Sequence, residues 1–179
     1  MGIICEQNIR QKALLEVAER MAIAARTAPK GRGVDNLAIS IAEKDMIEKI
    51  SLKMKELVQN ENASDFFIRD ANNILSADAM VLIGTGIKPM GLKYCGLCGF
   101  KNCDEKNKCP DHPCVFNTGD LGIAIGSAVS TAMDARVDNR IMYTVGMAVR
   151  ALGLLGEDIK IIYGIPLSAS AKNPFFDRR

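Results

Sequence analysis

Five of the six cysteines fall in one short stretch, "YCGLCGFKNCDEKNKCPDHPC" (94–114), spaced Cys95-x2-Cys98-x4-Cys103-x5-Cys109-x4-Cys114. Two cysteines separated by two residues can aim both sulfurs at one ion, because a tight turn makes the side chains converge. The glycines after Cys95 and Cys98 permit the backbone angles such a turn needs. Four thiolates hold either a zinc ion or an iron–sulfur cluster. Structural zinc sites usually combine two such knuckles, and the second half of this stretch lacks one. A short pair, a third cysteine close by and a more distant fourth suit a single cluster better; redox or structural thiols remain a further possibility. Cys95, Cys98 and Cys103 form the leading trio. For the fourth ligand Cys114 is preferred, since apolar Val115 and Phe116 follow it and could anchor it to the core. Cys109, between charged and polar neighbours, is the alternative. Cys5, far upstream, reads as a buried core residue. His112 is the single histidine, which excludes histidine triads and two-histidine metalloprotease sites; in Asp111-His112-Pro113 it reads as an exposed loop residue.

A second chemical possibility lies in "ARTAPKGRG" (25–33), where Arg26, Lys30 and Arg32 sit beside flexible glycines. Such a loop can hold a phosphate through charged donors and free backbone amides. It can equally be a solvated connection, and no Walker or dinucleotide glycine pattern accompanies it. Lys172, Arg178 and Arg179 in the tail could reach the same anion or simply be solvated.

The elements that must position these groups follow from periodicity. Leu14, Val17, Met21 and Ala25 recur at helical spacing between Glu6 and Ala25, and the helix is expected to stop before Pro29. "LAISIA" (37–42) alternates like a strand. Residues 43–59 return to helical spacing through Met46/Ile47, Ile50, Met54 and Leu57/Val58, and Asn60, Glu61 and Asn62 end that helix. A further amphipathic stretch, 64–76, places Phe67, Ala71, Ile74 and Leu75 on one face. "AMVLIG" (79–84) reads as a buried central strand. After the cysteines, 119–136 and 138–155 read as two consecutive helices. The first is rich in Gly122, Ala124, Gly126, Ser127, Ala128 and Ser130, small enough for a neighbouring helix or a flat ligand to approach closely. "IKIIYGIP" (159–166) closes as a strand, and "LSASAKNPFFDRR" reads as a polar tail. The sum is a single α+β layered domain, 1–179, with the cysteine segment 94–118 inserted between a strand and a helix.

Composition sets limits on function. Hydrophobic residues make up 48% and charged residues 25% of 179 positions, which is globular rather than disordered composition. A net charge of +2, with no basic run interleaved with aromatics, argues against a nucleic-acid partner. Met1 to Cys5 is too short for a signal-peptide core, being followed at once by Glu6, Gln7 and Arg10. No stretch approaches the roughly 18 apolar residues of a membrane span. A cytoplasmic location is the expectation; thiols there stay reduced, and a cysteine cluster is then more often a metal site than a disulfide framework.

Two resemblances add to this reading. "CGLCGFKNC…C…FNTGDLGIAIGSAV", with "ARTAPKGRGVDNL" before it and "GIPLSASAKNPFFDR" after it, resembles a prokaryotic family of uncharacterised ferredoxin-domain-containing proteins. This resemblance spans essentially the whole chain and implies a four-iron, four-sulfur site. More distantly, "TAPKGRGVDNLAISIA", the "ALGLL" element and "IIYGIP…R" are similar to parts of the flavin-dependent nitroreductase fold. That likeness implies a nitroreductase-like sheet flanked by helices and flavin mononucleotide (FMN) held at a homodimer interface. Residue by residue it implicates Pro29, Lys30, Gly31 and Asn36, with Arg26 in the same loop, and Gly164 and Arg178 near the end. Leu37-Ala38-Ile39 stands where that family has Gln-Pro-Trp, and its amino-terminal Arg-Arg-Ser phosphate motif has no counterpart here. The resulting expectation is an iron–sulfur protein in electron transfer or FMN-linked reduction of a small acceptor, working with a redox partner. The alternative is a non-catalytic module whose cysteines form a structural zinc or thiol site and whose flavin binding is lost.

Overall fold

The apolar run after Asp78 becomes the centre of the molecule. Residues 2–178 are described, in a computed structural model. Met1, the start of the amino-terminal segment, and Arg179, the outermost arginine of the tail, lie outside the described residues. Strand β2 (Ala79–Thr85) is buried at every position, as an uninterrupted apolar run covered on both faces must be. It pairs antiparallel with β1 (Leu37–Glu43) on one side and β4 (Ile161–Ser168) on the other. The short β3 (Asp138–Asn139) completes a four-stranded sheet of order β1-β2-β4-β3.

Alternation along the strands then builds two cores. Val81, Ile83, Ile165 and Leu167 face one layer, formed by α1 (Glu6–Thr27) and α5 (Val115–Asp134). Met80, Leu82 and Ile162 face the other, formed by α2 (Lys44–Glu61), α3 (Phe66–Ile74) and α6 (Tyr143–Ala151). A five-residue helix, α4 (Cys103–Asn107), lies within the cysteine segment between β2 and α5. No helix among the described residues is long and apolar enough to cross a membrane.

Helix ends fall where residue chemistry puts them. Ala28, the residue before Pro29, has left the helical region (ψ 138) and closes α1. Asn62 adopts the left-handed conformation (φ 56) that ends α2. Five expectations are corrected. Residues 138–142 are extended, not helical: Arg136 turns the chain with φ 59, Asn139 then pairs with Leu167, and Met142 bridges to Gly164. The preceding helix begins at Val115, four residues earlier than periodicity suggests, with Cys114 as its N-cap. The tail docks: Phe175 is fully buried, and its carbonyl accepts from Arg140 at 2.7 Å. Cys5 is exposed, because it caps α1 before the amphipathic pattern starts; Leu75, just past the end of α3, is exposed as well.

Candidate functional site

The site is built on the chain leaving β2 and on the start of α5. In the cysteine turn, the Gly99 amide donates to the Gly96 carbonyl at 3.0 Å, and Gly99 has φ 87. That left-handed angle is open to glycine, so the second glycine of "CGLCG" does what the spacing demands. Cys103 opens α4, whose N-cap Asn102 accepts from the Glu105 amide at 2.9 Å. Cys109 follows that helix, half-buried, and Cys114 is buried at the N-cap of α5. All six cysteines are free thiols. His112 is exposed and meets Phe100 edge-on, with ring centroids 5.3 Å apart. No three cysteine, histidine, aspartate or glutamate side chains among the described residues converge closely enough to hold a metal ion. The chemistry of the donor set nevertheless fits a thiolate-bound centre: five reduced sulfurs on one segment, with the cation of Lys106 buried among them in sequence.

The basic loop packs against this segment. Leu97, between Cys95 and Cys98, lines a cavity of about 380 Å³ together with Pro29, Lys30, Gly31, Phe116 and Asp120. A neighbouring cavity of about 440 Å³ is walled by Leu92, Tyr94, Cys95, Leu97 and Phe116. The cysteine turn and the candidate flavin loop therefore share one surface, mostly apolar, with Leu97 and Phe116 common to both cavities.

Within the loop the charged groups are largely engaged by the chain itself. Lys30 donates to the carbonyls of Ala25, Arg26 and Ala28 at 2.7, 2.5 and 2.7 Å, capping the end of α1. An ammonium has three donors, so none is left over. The Gly31 amide donates to both carboxylate oxygens of Asp120, each at 3.0 Å. Arg26 pairs with Asp35 at 2.6 Å, and Arg32 donates to the Met90 carbonyl at 3.0 Å. Both arginines are exposed, and Arg26 donates as well to the Leu37 carbonyl at 3.1 Å. The cavity walls are mostly apolar; Arg26 and Arg32 lie outside them, in the same loop as Pro29 and Gly31.

Asn36 belongs to a small polar relay. Its amide nitrogen donates to Asn117 Oδ1 at 3.1 Å, and Asn117, 1% exposed, donates in turn to the carbonyls of Gly86 and Lys88 at 3.2 and 2.8 Å. This ties the loop, α5 and the exit from β2 together. Sequence reading missed both Asn117 and Asp120; the available signal was two residues able to accept and hold a hydrogen bond, one helical turn apart at the start of α5.

Two expected contacts lie elsewhere in the chain. Gly164 is in the middle of β4 and faces α6, where a Cβ would stand 2.2 Å from Val145 Cγ1. It permits close helix–sheet packing on the layer away from the cavity. Arg178 is exposed in the tail, beyond the end of β4 where Leu167 pairs with Ala79. The loop joins β1 at the other end of β2, where Leu37 pairs with Thr85.

The fold has relatives among solved structures. A nitroreductase with bound FMN from Desulfitobacterium hafniense aligns over 96% of this chain and 81% of its own, with TM-score 0.59 and 14% identity. A BluB-like flavoprotein from Clostridium difficile covers 96% of this chain and 84% of its own, with TM-score 0.57 and 18% identity. These likenesses establish a nitroreductase-like fold. The family model described as "Uncharacterized protein containing a ferredoxin domain (DUF2148)" matches residues 111–178, a span that holds Cys114 and leaves the other cysteines outside. An uncharacterised protein of Archaeoglobus fulgidus is 38% identical over 98% of this chain and 97% of its own length. The chain belongs to the family of uncharacterised proteins containing a ferredoxin domain.

Proposed function

We propose that the chain is a cytoplasmic iron–sulfur protein, carrying a four-iron, four-sulfur centre on a nitroreductase-like scaffold. It acts in electron transfer or in FMN-linked reduction of a small acceptor, as a homodimer. One observation carries this reading: Leu97, inside the Cys95-x2-Cys98 turn, lines the same cavity as Pro29 and Gly31. A thiolate centre at that turn would lie beside a ring bound in the cavity.

Cys95, Cys98, Cys103 and Cys114 are the proposed ligands, with Cys109 the alternative fourth. When bound, a cluster supplies one-electron transfer, and a flavin couples it to two-electron chemistry. The chain's own residues prepare for both. Cys114 is buried at the start of a 20-residue helix, which fixes its sulfur against the core. Metal binding would draw the remaining sulfurs together, since such sites fold with their metal. Asp120 fixes the Gly31 amide and so the loop; Phe116 and Ile123 give the cavity apolar walls. Arg26 and Arg32 are the donors for the flavin phosphate, and Asn36 holds the loop against α5 through Asn117. Arg178 would meet a flavin only from a second copy of the chain, and Gly164, packed under α6, serves the fold rather than the cofactor. No residue is assigned as catalytic acid or base.

A second reading is a structural zinc or thiol module with flavin binding lost. It is supported by the internal engagement of Lys30 and Gly31. Anaerobic purification, an absorption spectrum and analysis for iron, zinc and flavin separate the two. A brown protein with about four irons per chain is expected, and a yellow, fluorescent supernatant after denaturation if FMN is bound. A colourless protein with zinc in place of iron would sink the first reading.

A further inference from the structure

Lys106 is among the most deeply buried side chains, 2% exposed, and it is a cation. Its ammonium donates to the carbonyl of Ile87 at 2.9 Å and, at 3.5 Å, to that of Pro110. No carboxylate among the described residues pairs with it. Asp104, Glu105 and Asp111, the acids nearest in sequence, are exposed to water. Burying an ammonium is costly unless an opposite charge meets it, and two carbonyl dipoles compensate a full charge poorly. A neutral amide would bridge the same carbonyls without that cost.

Its position is as telling as its burial. Lys106 lies in α4 one turn after Cys103 and one turn before Cys109, and its carbonyl accepts from the Cys109 amide at 2.9 Å. Pro110, which accepts from the ammonium, is bonded to Cys109. The cation is thus fixed inside the cysteine segment, with its stem among the residues that space the sulfurs.

We propose that the Lys106 ammonium is the fixed counter-charge of the cysteine centre, so that the segment is built for an anionic, thiolate-bound metal or cluster rather than a neutral disulfide. This rests on reading the segment as a metal centre. Four thiolates around zinc or around an oxidised four-iron, four-sulfur core leave a net negative charge. Reduction of the core by one electron adds to that charge, so a nearby cation favours the reduced form. Lys106 is a positioning residue: it touches no reacting atom and acts through the field at the sulfurs and through the Ile87 and Pro110 bonds.

The test is a redox titration with dithionite and mediators on anaerobically reconstituted wild type, Lys106→Gln and Lys106→Arg. Glutamine keeps a hydrogen-bond donor and removes the charge; arginine keeps the charge. Lys106→Gln is expected to shift the reduction equilibrium about tenfold toward the oxidised form, about 59 mV for a one-electron couple. Lys106→Arg is expected to stay within about twofold of wild type. An unchanged potential in Lys106→Gln, or an equal shift in both variants, overturns the proposal. If Lys106→Gln aggregates, Lys106→Met is read the same way. If wild type takes up no iron, the iron–sulfur reading has failed by itself, and the counter-charge is read from zinc affinity by chelator competition. About tenfold weaker zinc binding in Lys106→Gln then supports it; equal affinity, or no zinc uptake by wild type, overturns it.

Discussion

Cys109 and Cys114 have the same side chain in opposite settings. Cys114 is 5% exposed and caps a long helix; Cys109 trails a one-turn helix and is half-buried. The first sulfur is held in place by the helix and the core, the second by neither. Replacing Cys109 with serine is therefore expected to leave iron content after reconstitution unchanged, while Cys114→Ser loses it. Loss in Cys109→Ser alone would reverse the assignment. A second prediction concerns the Arg26–Asp35 pair at the base of the loop. Burial pushes the Asp35 carboxyl up, but the Arg26 hydrogen bond, the Leu37 amide and the charges of Arg26 and Lys30 outweigh this and hold it below its ordinary value. A carboxyl depressed in the fold stabilises above its unfolded pKa, and that contribution is lost as pH falls through the folded one, here below about pH 4. Asp35→Asn is expected to cost no more than about 1 kcal/mol at neutral pH, since the pair is partly exposed. Its melting temperature should converge on that of wild type in acid; a gap that persists there means another group carries the effect. At this scale residue types were legible and their partners were not. The sequence marks Lys30 as a cation beside glycines, but only the fold shows it spent on three carbonyls of α1.

Elements were legible where one periodicity ran unbroken. β2 reads as a buried strand because all seven positions are covered, and α2 because Ile47, Ile50, Met54 and Leu57 hold one stripe. Residues 138–142 misled because their apolar and polar residues fit a helix equally well; pairing with β4 decided the conformation. The tail misled because one buried side chain, Phe175, outweighs its polar neighbours. Glycines carry the sharpest element-scale test. A Cβ on Gly146 would lie 1.7 Å from the Ile162 carbonyl oxygen, so α6 would have to lift from β4. Backbone cannot give way as a flexible side chain can. Gly146→Ala is expected to destabilise by about 3 kcal/mol, read from the urea midpoint; a loss under about 1 kcal/mol would mean that α6 has room to move.

The proposed pairing of two chains would use the face of α5 that the single chain leaves uncovered. Ala124 and Ala128 pack against α1, so the small residues on that side serve helix packing. The opposite side carries Val115, Gly119, Gly122, Ile123, Gly126 and Met133, exposed and without a charge. Nothing lies within 4 Å of a Cβ placed on any of those three glycines. An uncharged strip along a 20-residue helix is costly to leave in water and suits a second copy of the same helix. Val115, Gly119 and Ile123 also wall the cavity beside Gly31, so pairing there would close the proposed flavin site. Ile123→Glu tests both ideas in one protein, because Ile123 is already 50% exposed and the fold does not need it. Sedimentation is expected to give two chains per particle for wild type and one for the variant, with flavin lost alongside the partner. A monomeric wild type would remove the dimer. A monomeric variant that keeps its flavin would instead place the whole cofactor site within one chain.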